Sequence, residues 1–344
     1  MTTAASGRPA GPMPRTAQTM IAIVQDEYGS APEEVLRLAE TATPTIGDGE
    51  ILVRVRAASV DRGTWHMMAG LAYPIRLAGF GLRAPNALNP GRSMAGTVDS
   101  VGKDVTGFVP GDEVYGTCNG GSFAPYARTR PGRLAPKPAN LSFEQAAAVP
   151  VSALTALQAV RHGKVQPGQQ VLIIGASGGV GTFAVQIAKA FGADVTGVAS
   201  TAKTGLVASL GADHVIDYTR EDIADGQHRY DVILDIGGCT RLAHLRRALT
   251  PAGRLVLVGG EDGARWLGGM DRQLRALLLF PLVSQKLSMF VASENSADLV
   301  ILRDLIESGK ITPAIDRTYP LSQAPAAIRH VQEGRARGKV VITI

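Results

Sequence analysis

A glycine-rich turn between a short apolar run and a helical pattern constrains this chain more than any other feature. Residues 171–174 have the all-apolar composition of a buried parallel strand. Glycines follow at positions 175, 178 and 181, and apolar residues then recur at helical spacing through position 188. The pattern predicts a strand that turns through glycine into a helix. Glycines in such a turn allow a tight bend, close approach of the backbone to a pyrophosphate, and close packing of the helix on the strand.

The predicted turn suits a phosphate group. The first turn of the helix offers free N–H groups and a partial positive charge. The glycine spacing alone is a weak signal, but here the strand before it and the helix after it supply the context that the motif requires. The alternative is a glycine-rich turn in an α/β protein that binds no nucleotide.

Strand and helix patterns alternate through residues 151–260, the segment that contains this turn. Further apolar strands are predicted at 195–199, 214–216, 232–235 and 255–258, with helices near 205–210 and 240–249. Repeated strand–helix units form a parallel sheet that is covered on both faces. The pattern therefore predicts a doubly wound nucleotide-binding domain.

The rest of the chain has a different character. Residues 19–150 contain short strand patterns punctuated by glycine and proline, at 50–56, 95–102 and 110–116, which favour a compact barrel-like β domain. The last part returns to helices, near 297–308 and 323–333, and ends in a strand at 339–344. We expect this final strand to complete the sheet of the first domain.

Composition excludes several functional classes. The net charge is +5 and the basic residues are scattered, so nothing indicates a nucleic-acid-binding surface. The longest apolar segment, 274–283, is too short to span a bilayer and contains Pro281, so it predicts a buried or pocket-covering helix. The two cysteines, Cys118 and Cys239, form neither a disulfide framework nor a C-x-x-C metal site. We expect both to be buried, and the protein to be cytoplasmic.

Residues 1–18 are rich in alanine, threonine, glycine and proline and contain Arg8 and Arg15 but no acid. One interpretation is an organelle transit peptide. The other, which the proline and glycine content favours, is a disordered tail.

The end of the second strand of the nucleotide domain favours NADPH over NADH. An NAD site usually places an acid there, to bind the ribose 2′-hydroxyl. Asp194 precedes that strand instead, whereas Ser200 and Lys203 follow it. A hydroxyl and a cation suit a 2′-phosphate. The alternative is that Ser200 caps the next helix and that Lys203 is solvated.

The segment 168–189, with Ala176-Ser177-Gly178-Gly179-Val180-Gly181 at its centre, closely resembles the signature of quinone oxidoreductases. These enzymes form part of the zinc-independent branch of the medium-chain dehydrogenase/reductase family. Supporting motifs span nearly the whole chain after the tail, at 111–114, 146–150 with Thr155, 210–218 and 337–341. The resemblance implies a GroES-like catalytic domain from residues 19–150 and 289–344 and a Rossmann NADP-binding domain from residues 151–288. It also implies a homodimer that pairs edge strands near 287–292; the alternative is that this edge is covered within the chain.

The resemblance also implies a set of cofactor contacts. They are Ser177, Gly178, Gly179 and Val180 at the pyrophosphate, Ser200, Lys203 and Tyr218 at the adenosine phosphate, Thr155 at the carboxamide, and Gly259, Phe290 and Val291 at the nicotinamide ribose. Two of these have structural alternatives. Tyr218 could pack, and the Thr155 hydroxyl could bond its own helix backbone.

The resemblance also argues against a catalytic or structural zinc. Zinc-dependent relatives place a cysteine where this chain has Asp61 and Gly-His-Glu where it has Gly91-Arg92-Ser93. A catalytic zinc needs three protein ligands, and Asp61 with His66 would supply only two. The four-cysteine structural lobe is excluded because the chain has two cysteines.

Without a metal to polarise a carbonyl, a quinone or enone is an easier hydride acceptor than an ordinary ketone. Candidate hydrogen-bond or proton donors lie in the loop after the second β strand: Asp61, Thr64, His66 and Tyr73. Quinone reductases usually have Asn and Asp where this chain has Asp61 and Thr64, and His66 could equally serve in packing. Three hypotheses follow: a zinc-free NADPH-dependent reductase of conjugated carbonyls, a metal-free alcohol or aldehyde dehydrogenase, and a low-turnover NADPH-binding sensor or interaction protein.

Overall fold

The computed structural model describes residues 19–71, 73, 76, 81–86, 89–226, 228–259, 276 and 284–344. The predicted tail at 1–18 lies outside this range, as does the predicted helix at 274–283 apart from Ala276. Within the range, no helix has both the length and the apolar character needed to cross a membrane.

The described residues form three sheets with helices packed around them. The strands are β1 Thr19–Gln25, β2 Leu36–Ala42, β3 Ile51–Val60, β4 Ser93–Val101, β5 Glu113–Thr117, β6 Tyr126–Thr129, β7 Leu134–Pro136, β8 Gln170–Ile174, β9 Asp194–Ala199, β10 His214–Asp217, β11 Tyr230–Asp235, β12 Leu249–Leu257, β13 Lys286–Met289, β14 Ile315–Pro320 and β15 Lys339–Thr343. The helices are α1 Pro32–Val35, α2 Arg62–Ala69, α3 Phe143–Ala147, α4 Pro150–His162, α5 Gly179–Ala190, α6 Thr204–Ser209, α7 Leu242–Ala248, α8 Ser296–Glu307 and α9 Ala324–Gln332.

The central six strands form a parallel sheet in the order β10-β9-β8-β11-β12-β13. Its two middle strands are fully buried at Val171, Leu172, Val232 and Ile233, which explains why they read as continuous apolar runs. Helix α5 lies against β8 and buries Phe183 completely. The predicted doubly wound fold is confirmed.

The second large sheet has the order β14-β15-β3-β4-β5-β7, with β6 also paired to β3. Its pairs are antiparallel except β14 with β15. The final strand pairs with β3, with Val340 opposite Val60. The expectation that the end of the chain completes the first domain's sheet is therefore confirmed.

A single hydrophobic cluster runs between the two large sheets. It includes Ala57, Tyr115 and Val341 from the antiparallel sheet together with Leu154 from α4 and Ile173 from the parallel sheet. Shared burial of this kind fixes the two sheets relative to each other.

The expectation that both cysteines are buried is wrong for one of them. Cys118 is buried and Cys239 is exposed, and both are free thiols. Cys239 follows Gly237 and Gly238 in the turn beyond β11, so it leaves the buried strand before its side chain can be covered.

Candidate active site

The glycine loop lies at the carboxyl end of β8, where a doubly wound sheet binds its ligand. Gly175 has a φ of +81°, and a Cβ there would lie 2.9 Å from the Gly237 nitrogen. A Cβ on Gly181 would overlap the Gly175 carbonyl oxygen. These two positions require glycine for local packing, because they bring the start of α5 against the ends of two strands.

Gly178, at the start of α5, is open rather than crowded. A Cβ on Gly178 would meet only the Gly175 oxygen, at 3.4 Å, and Gly178, Gly179 and Val180 are half-buried. The first-turn N–H groups of α5 have no acceptor within the helix and form its positive end. The residues therefore fit a pyrophosphate.

Lys203 and Ser200 lie beyond the end of β9, as their sequence positions predict. Lys203 Nζ donates to the carbonyl oxygens of Gly334, at 2.7 Å, and Ala336, at 2.9 Å. Burial lowers the pKa of Lys203, as does the charge of Arg337, while Asp316 opposes them. Lys203 is therefore held by the backbone rather than solvated, and Ser200 makes no side-chain capping bond.

An acid stands beside these residues that the sequence patterns did not single out. Asp217 ends β10, opposite Ala199. Its carboxylate accepts from the hydroxyls of Thr201, at 2.5 Å, and Thr219, at 2.7 Å. These hydrogen bonds lower the pKa of Asp217, so the group is charged at neutral pH. Tyr218, the next residue, is 61% exposed.

The residues predicted to contact the nicotinamide and its ribose lie on α4 and just after the ends of β12 and β13. The Thr155 hydroxyl donates to the Val151 carbonyl at 2.7 Å, so it bonds the backbone of its own helix, as the structural alternative for this residue predicts. The Phe290 ring stacks on His162 with centroids 5.6 Å apart. Val291 is 85% exposed, and a Cβ on Gly259 would overlap the Ile236 oxygen.

Asp61 lies in a buried polar cluster between the two domains. Lys339 Nζ contacts Asp61 Oδ1 and donates to Ser152 Oγ at 2.9 Å. Ser152 Oγ donates to Asp61 Oδ1 at 2.8 Å, and Ser93 Oγ donates to Oδ2 at 3.1 Å. The side chains of Lys339 and Asp61 are 1% and 9% exposed. A Cβ on Gly179 would lie 3.1 Å from Lys339 Cδ, so this cluster lies directly behind the glycine loop.

The other three candidates of this loop have different surroundings. Thr64 is buried, and its hydroxyl accepts from the Asp61 nitrogen at 3.4 Å, which caps α2. His66 is half-buried and meets the Trp65 ring edge-on at 5.0 Å. Tyr73 is half-buried beneath the Arg76 guanidinium, 5.0 Å from the ring centre. Its chain neighbours 72, 74 and 75 lie outside the described residues.

Lys339, Ser93 and Ser152 were not predicted as site residues. Lys339 begins an apolar strand, which is the only signal that the sequence offers for a buried lysine. Its partners lie 278 and 187 positions away along the chain, so their proximity depends on the tertiary fold.

A metal ion at Asp61 would require several ligand side chains grouped around it. Among the residues that the structure describes, no three His, Cys, Asp or Glu side chains are grouped so as to hold a metal ion. Asp61, where zinc-dependent relatives have a ligand, is occupied by an ammonium and two hydroxyls. Arg92, where they have another, pairs with Glu294 at 2.6 Å.

A glycine loop at the carboxyl end of a doubly wound parallel sheet, joined to an antiparallel β domain, is the arrangement of a two-domain nucleotide-dependent enzyme. Two family models match the chain: an alcohol dehydrogenase GroES-like domain over residues 47–139 and a zinc-binding dehydrogenase over residues 210–342.

Similar proteins share almost the whole chain. NAD(P)H oxidoreductase RTN4IP1, mitochondrial, from Mus musculus is 34% identical over 94% of this chain and 89% of its own. NADPH-dependent alkenal/one oxidoreductase, chloroplastic, from Arabidopsis thaliana is 32% identical over 94% of this chain and 79% of its own. The solved quinone oxidoreductase from Coxiella burnetii superposes with a TM-score of 0.81 at 28% identity, over 95% of this chain and all of the other.

The chain belongs to the medium-chain dehydrogenase/reductase family, in its quinone oxidoreductase-like branch. It is an NAD(P)H-dependent oxidoreductase, as the sequence predicted.

Proposed function

We propose that this enzyme is a metal-independent, NADPH-dependent reductase of quinones, enones or related conjugated carbonyls. The observation that supports it most is the state of Asp61: its carboxylate is taken up by Lys339, Ser152 and Ser93 instead of facing a metal. Without a Lewis acid at Asp61, the site would favour acceptors that delocalise the incoming charge. Relatives named for alkenal/one and quinone substrates support the same class.

The proposed cofactor is NADPH. Ser177, Gly178, Gly179 and Val180 would hold its pyrophosphate, and Lys203 would be the nearest cation for a 2′-phosphate, with Ser200 and Tyr218 beside it. The charge of Asp217 opposes this preference, but both of its oxygens already accept hydroxyl hydrogen bonds. We still expect the phosphate to be preferred, because two backbone carbonyls hold the Lys203 ammonium in place beyond the end of β9 and a phosphate accepts strongly from such a cation.

When bound, the reduced nicotinamide supplies a hydride. Thr155, Gly259, Phe290 and Val291 would orient its ring and ribose. Reduction also requires a proton, for which the half-buried His66 and Tyr73 are the proposed sources. Asp61 and Thr64, in contrast, position the loop: one anchors Lys339 and the other caps α2.

We further propose a homodimer that forms through β13. Among the described residues this strand ends the six-stranded sheet, so a second copy could pair with its outer edge. A cytoplasmic location rests on the two free thiols, which suit a reducing compartment. Relatives named mitochondrial and chloroplastic make an organelle the competing location.

The substrate class can be tested by NADPH consumption with matched acceptors. We expect oxidation of NADPH with an ortho-quinone and with an α,β-unsaturated ketone, and none with the saturated ketone of the same skeleton. Reduction of the saturated ketone alone would overturn the proposal. Tight NADPH binding without turnover of any acceptor would favour a sensor or interaction protein.

A further inference from the structure

A second charged cluster joins the two domains, distinct from the one around Lys339. Arg92 Nη2 lies 2.6 Å from Glu294 Oε1, and Arg133 Nη1 lies 3.1 Å from Oε2. The Thr117 hydroxyl donates to Glu294 Oε2 at 2.9 Å, and Arg133 also bonds Asn119. Two guanidiniums around one carboxylate leave one positive charge uncompensated within the cluster.

Hydrogen bonds connect this cluster with the face of α4 that carries Thr155. Val151, Thr155 and Gln158 recur at helical spacing and are each half-buried. At one end of this face, the Val151 nitrogen donates to Ser93 Oγ at 3.3 Å. At the other end, Gln158 exchanges two hydrogen bonds of 2.8 Å with the backbone of Ser293.

Arg92 directly precedes Ser93 in the chain, and Glu294 directly follows Ser293. The two charged residues are therefore adjacent to the two serines that contact α4. The ion pair between Arg92 and Glu294 therefore closes a ring of contacts. The ring runs from the start of α4 to Ser93 and Arg92, then to Glu294 and Ser293, and returns to the helix at Gln158. Thr155 lies on the helix face inside this ring. If Thr155 binds the carboxamide, the guanidinium borders the space where the substrate meets the cofactor.

The ion pairs and hydrogen bonds hold this cluster in place, but one of its polar atoms has no hydrogen-bond partner among the described residues. Arg92 Nε is buried and has no hydrogen-bond partner among the described residues. The side chain of Arg92 is 29% exposed and that of Glu294 is 13% exposed. The backbone before Arg92 is fixed as well, since Gly91 has a φ of +91° and a Cβ there would overlap the Ser122 hydroxyl. A guanidinium held in this way can donate to a further acceptor without reorganisation.

We propose that Arg92 is a catalytic residue whose guanidinium stabilises the negative charge that develops on the substrate carbonyl oxygen, with Glu294 as its positioning residue. The inference rests on the proposed function. In the reduction of an enone, the β-carbon gains a hydride from NADPH, the C=C electron pair forms a double bond between the α-carbon and the carbonyl carbon, and the carbonyl π pair moves onto the oxygen, which gives an enolate. A proton from His66 or Tyr73, which the solvent then replaces, is delivered to the α-carbon and completes the saturated ketone, and NADP⁺ is released.

Arg92 acts in this step only through charge and hydrogen bonds. A guanidinium remains protonated at any working pH, so it cannot be the proton source. The role matches that of an oxyanion-hole donor, for which removal of one donor lowers kcat by about 100- to 1000-fold.

The kinetic test compares Arg92→Gln and Arg92→Lys with Arg54→Gln, a control that removes a surface ion pair of the same domain with Asp99. We expect Arg92→Gln to lower kcat by about 100-fold with the Kd of NADPH unchanged, and the lysine variant to retain part of the rate. Glu294→Gln should lower kcat less. Equal losses in both Arg92 variants with a raised NADPH Kd would indicate a structural role and overturn the proposal.

A second test requires no turnover. 4-Nitrophenol, a mimic of the enolate, is titrated spectroscopically in the complex of the enzyme with NADP⁺. A guanidinium at its oxygen should lower the apparent pKa of the bound phenol below that of the free phenol, and Arg92→Gln should remove this shift. Failure of the wild type to bind the phenolate, or the same shift in the variant, would overturn the proposal. If the wild type lacks turnover but shows the Arg92-dependent shift, only the proposed reaction fails.

Discussion

At the scale of single residues, the buried ammonium of Lys339 is the least expected feature of this enzyme. It is 1% exposed, and its charge is compensated by Asp61, itself 9% exposed. Burial of two charges is costly, and the pair is tolerated because serine hydroxyls and a carbonyl satisfy their remaining hydrogen-bonding groups.

Lys339→Met should therefore be strongly destabilising. It leaves the Asp61 carboxylate buried without a counter-charge, and we expect a loss of about 3–5 kcal/mol in the free energy of unfolding. Urea denaturation measures it. The double variant Asp61→Asn/Lys339→Met should lose much less than the sum of the two single variants. Additive losses would show that the two charges do not depend on each other.

Lys203 should decide between the two nicotinamide cofactors. Lys203→Met removes the cation near the proposed 2′-phosphate, and we expect NADPH affinity to fall about 10-fold or more, since a hydrogen bond to a charged group contributes about 1.5–3 kcal/mol. NADH affinity should change little. Fluorescence titration with both cofactors measures the difference, and Asp217→Asn provides the opposite change of charge. Equal losses for NADPH and NADH would argue against a 2′-phosphate contact at this lysine.

At the scale of elements, the strand–turn–helix unit was predictable because its packing requirements are local. Gly175 and Gly181 are needed for contacts within the unit or with the end of the adjacent strand. Because these requirements are local, both glycines appear at a regular spacing that the sequence alone shows. The start of β12 at Leu249, six residues before the predicted strand, was not predictable. Residues 250–254 include Pro251 and Gly253, and their pairing with β11 is interrupted by a register shift.

Two glycine substitutions should separate fold from cofactor binding in this unit. Gly181→Ala drives a methyl group into the Gly175 carbonyl, and we expect a loss of about 1–3 kcal/mol or more in the free energy of unfolding. Gly178→Ala has space and an ordinary φ of −84°, so it should fold normally. It should still lower kcat/KM for NADPH by about 100-fold, by displacing the pyrophosphate.

Thermal denaturation and steady-state kinetics on both variants make the comparison. Gly205→Ala, a helical position where a Cβ meets nothing within 4 Å, is the matched control; it should leave the kinetics unchanged and should not lower the stability, because alanine favours a helix more than glycine does. Normal NADPH kinetics in Gly178→Ala would mean that the loop does not approach the cofactor.

At the scale of the whole molecule, the two-domain architecture was predictable and the polar contacts between the domains were not. The antiparallel sheet is assembled from both ends of the chain, and the family resemblance together with the apolar strand at 339–344 indicated this. The pairing of Lys339 with Asp61, and of Arg92 with Glu294, depends on side chains about 200 or more positions apart. No local pattern reports such a contact, and the resemblance directed attention to Asp61 as a site residue rather than as a counter-ion.

The measurement that tests the central claim most directly is NADPH oxidation with an ortho-quinone before and after exhaustive chelation. Because Asp61 is occupied by Lys339 and Arg92 by Glu294, we expect the same rate in both samples and no gain on adding zinc. Loss of turnover on chelation, with unchanged NADPH binding and recovery on adding zinc, would contradict a metal-independent reductase.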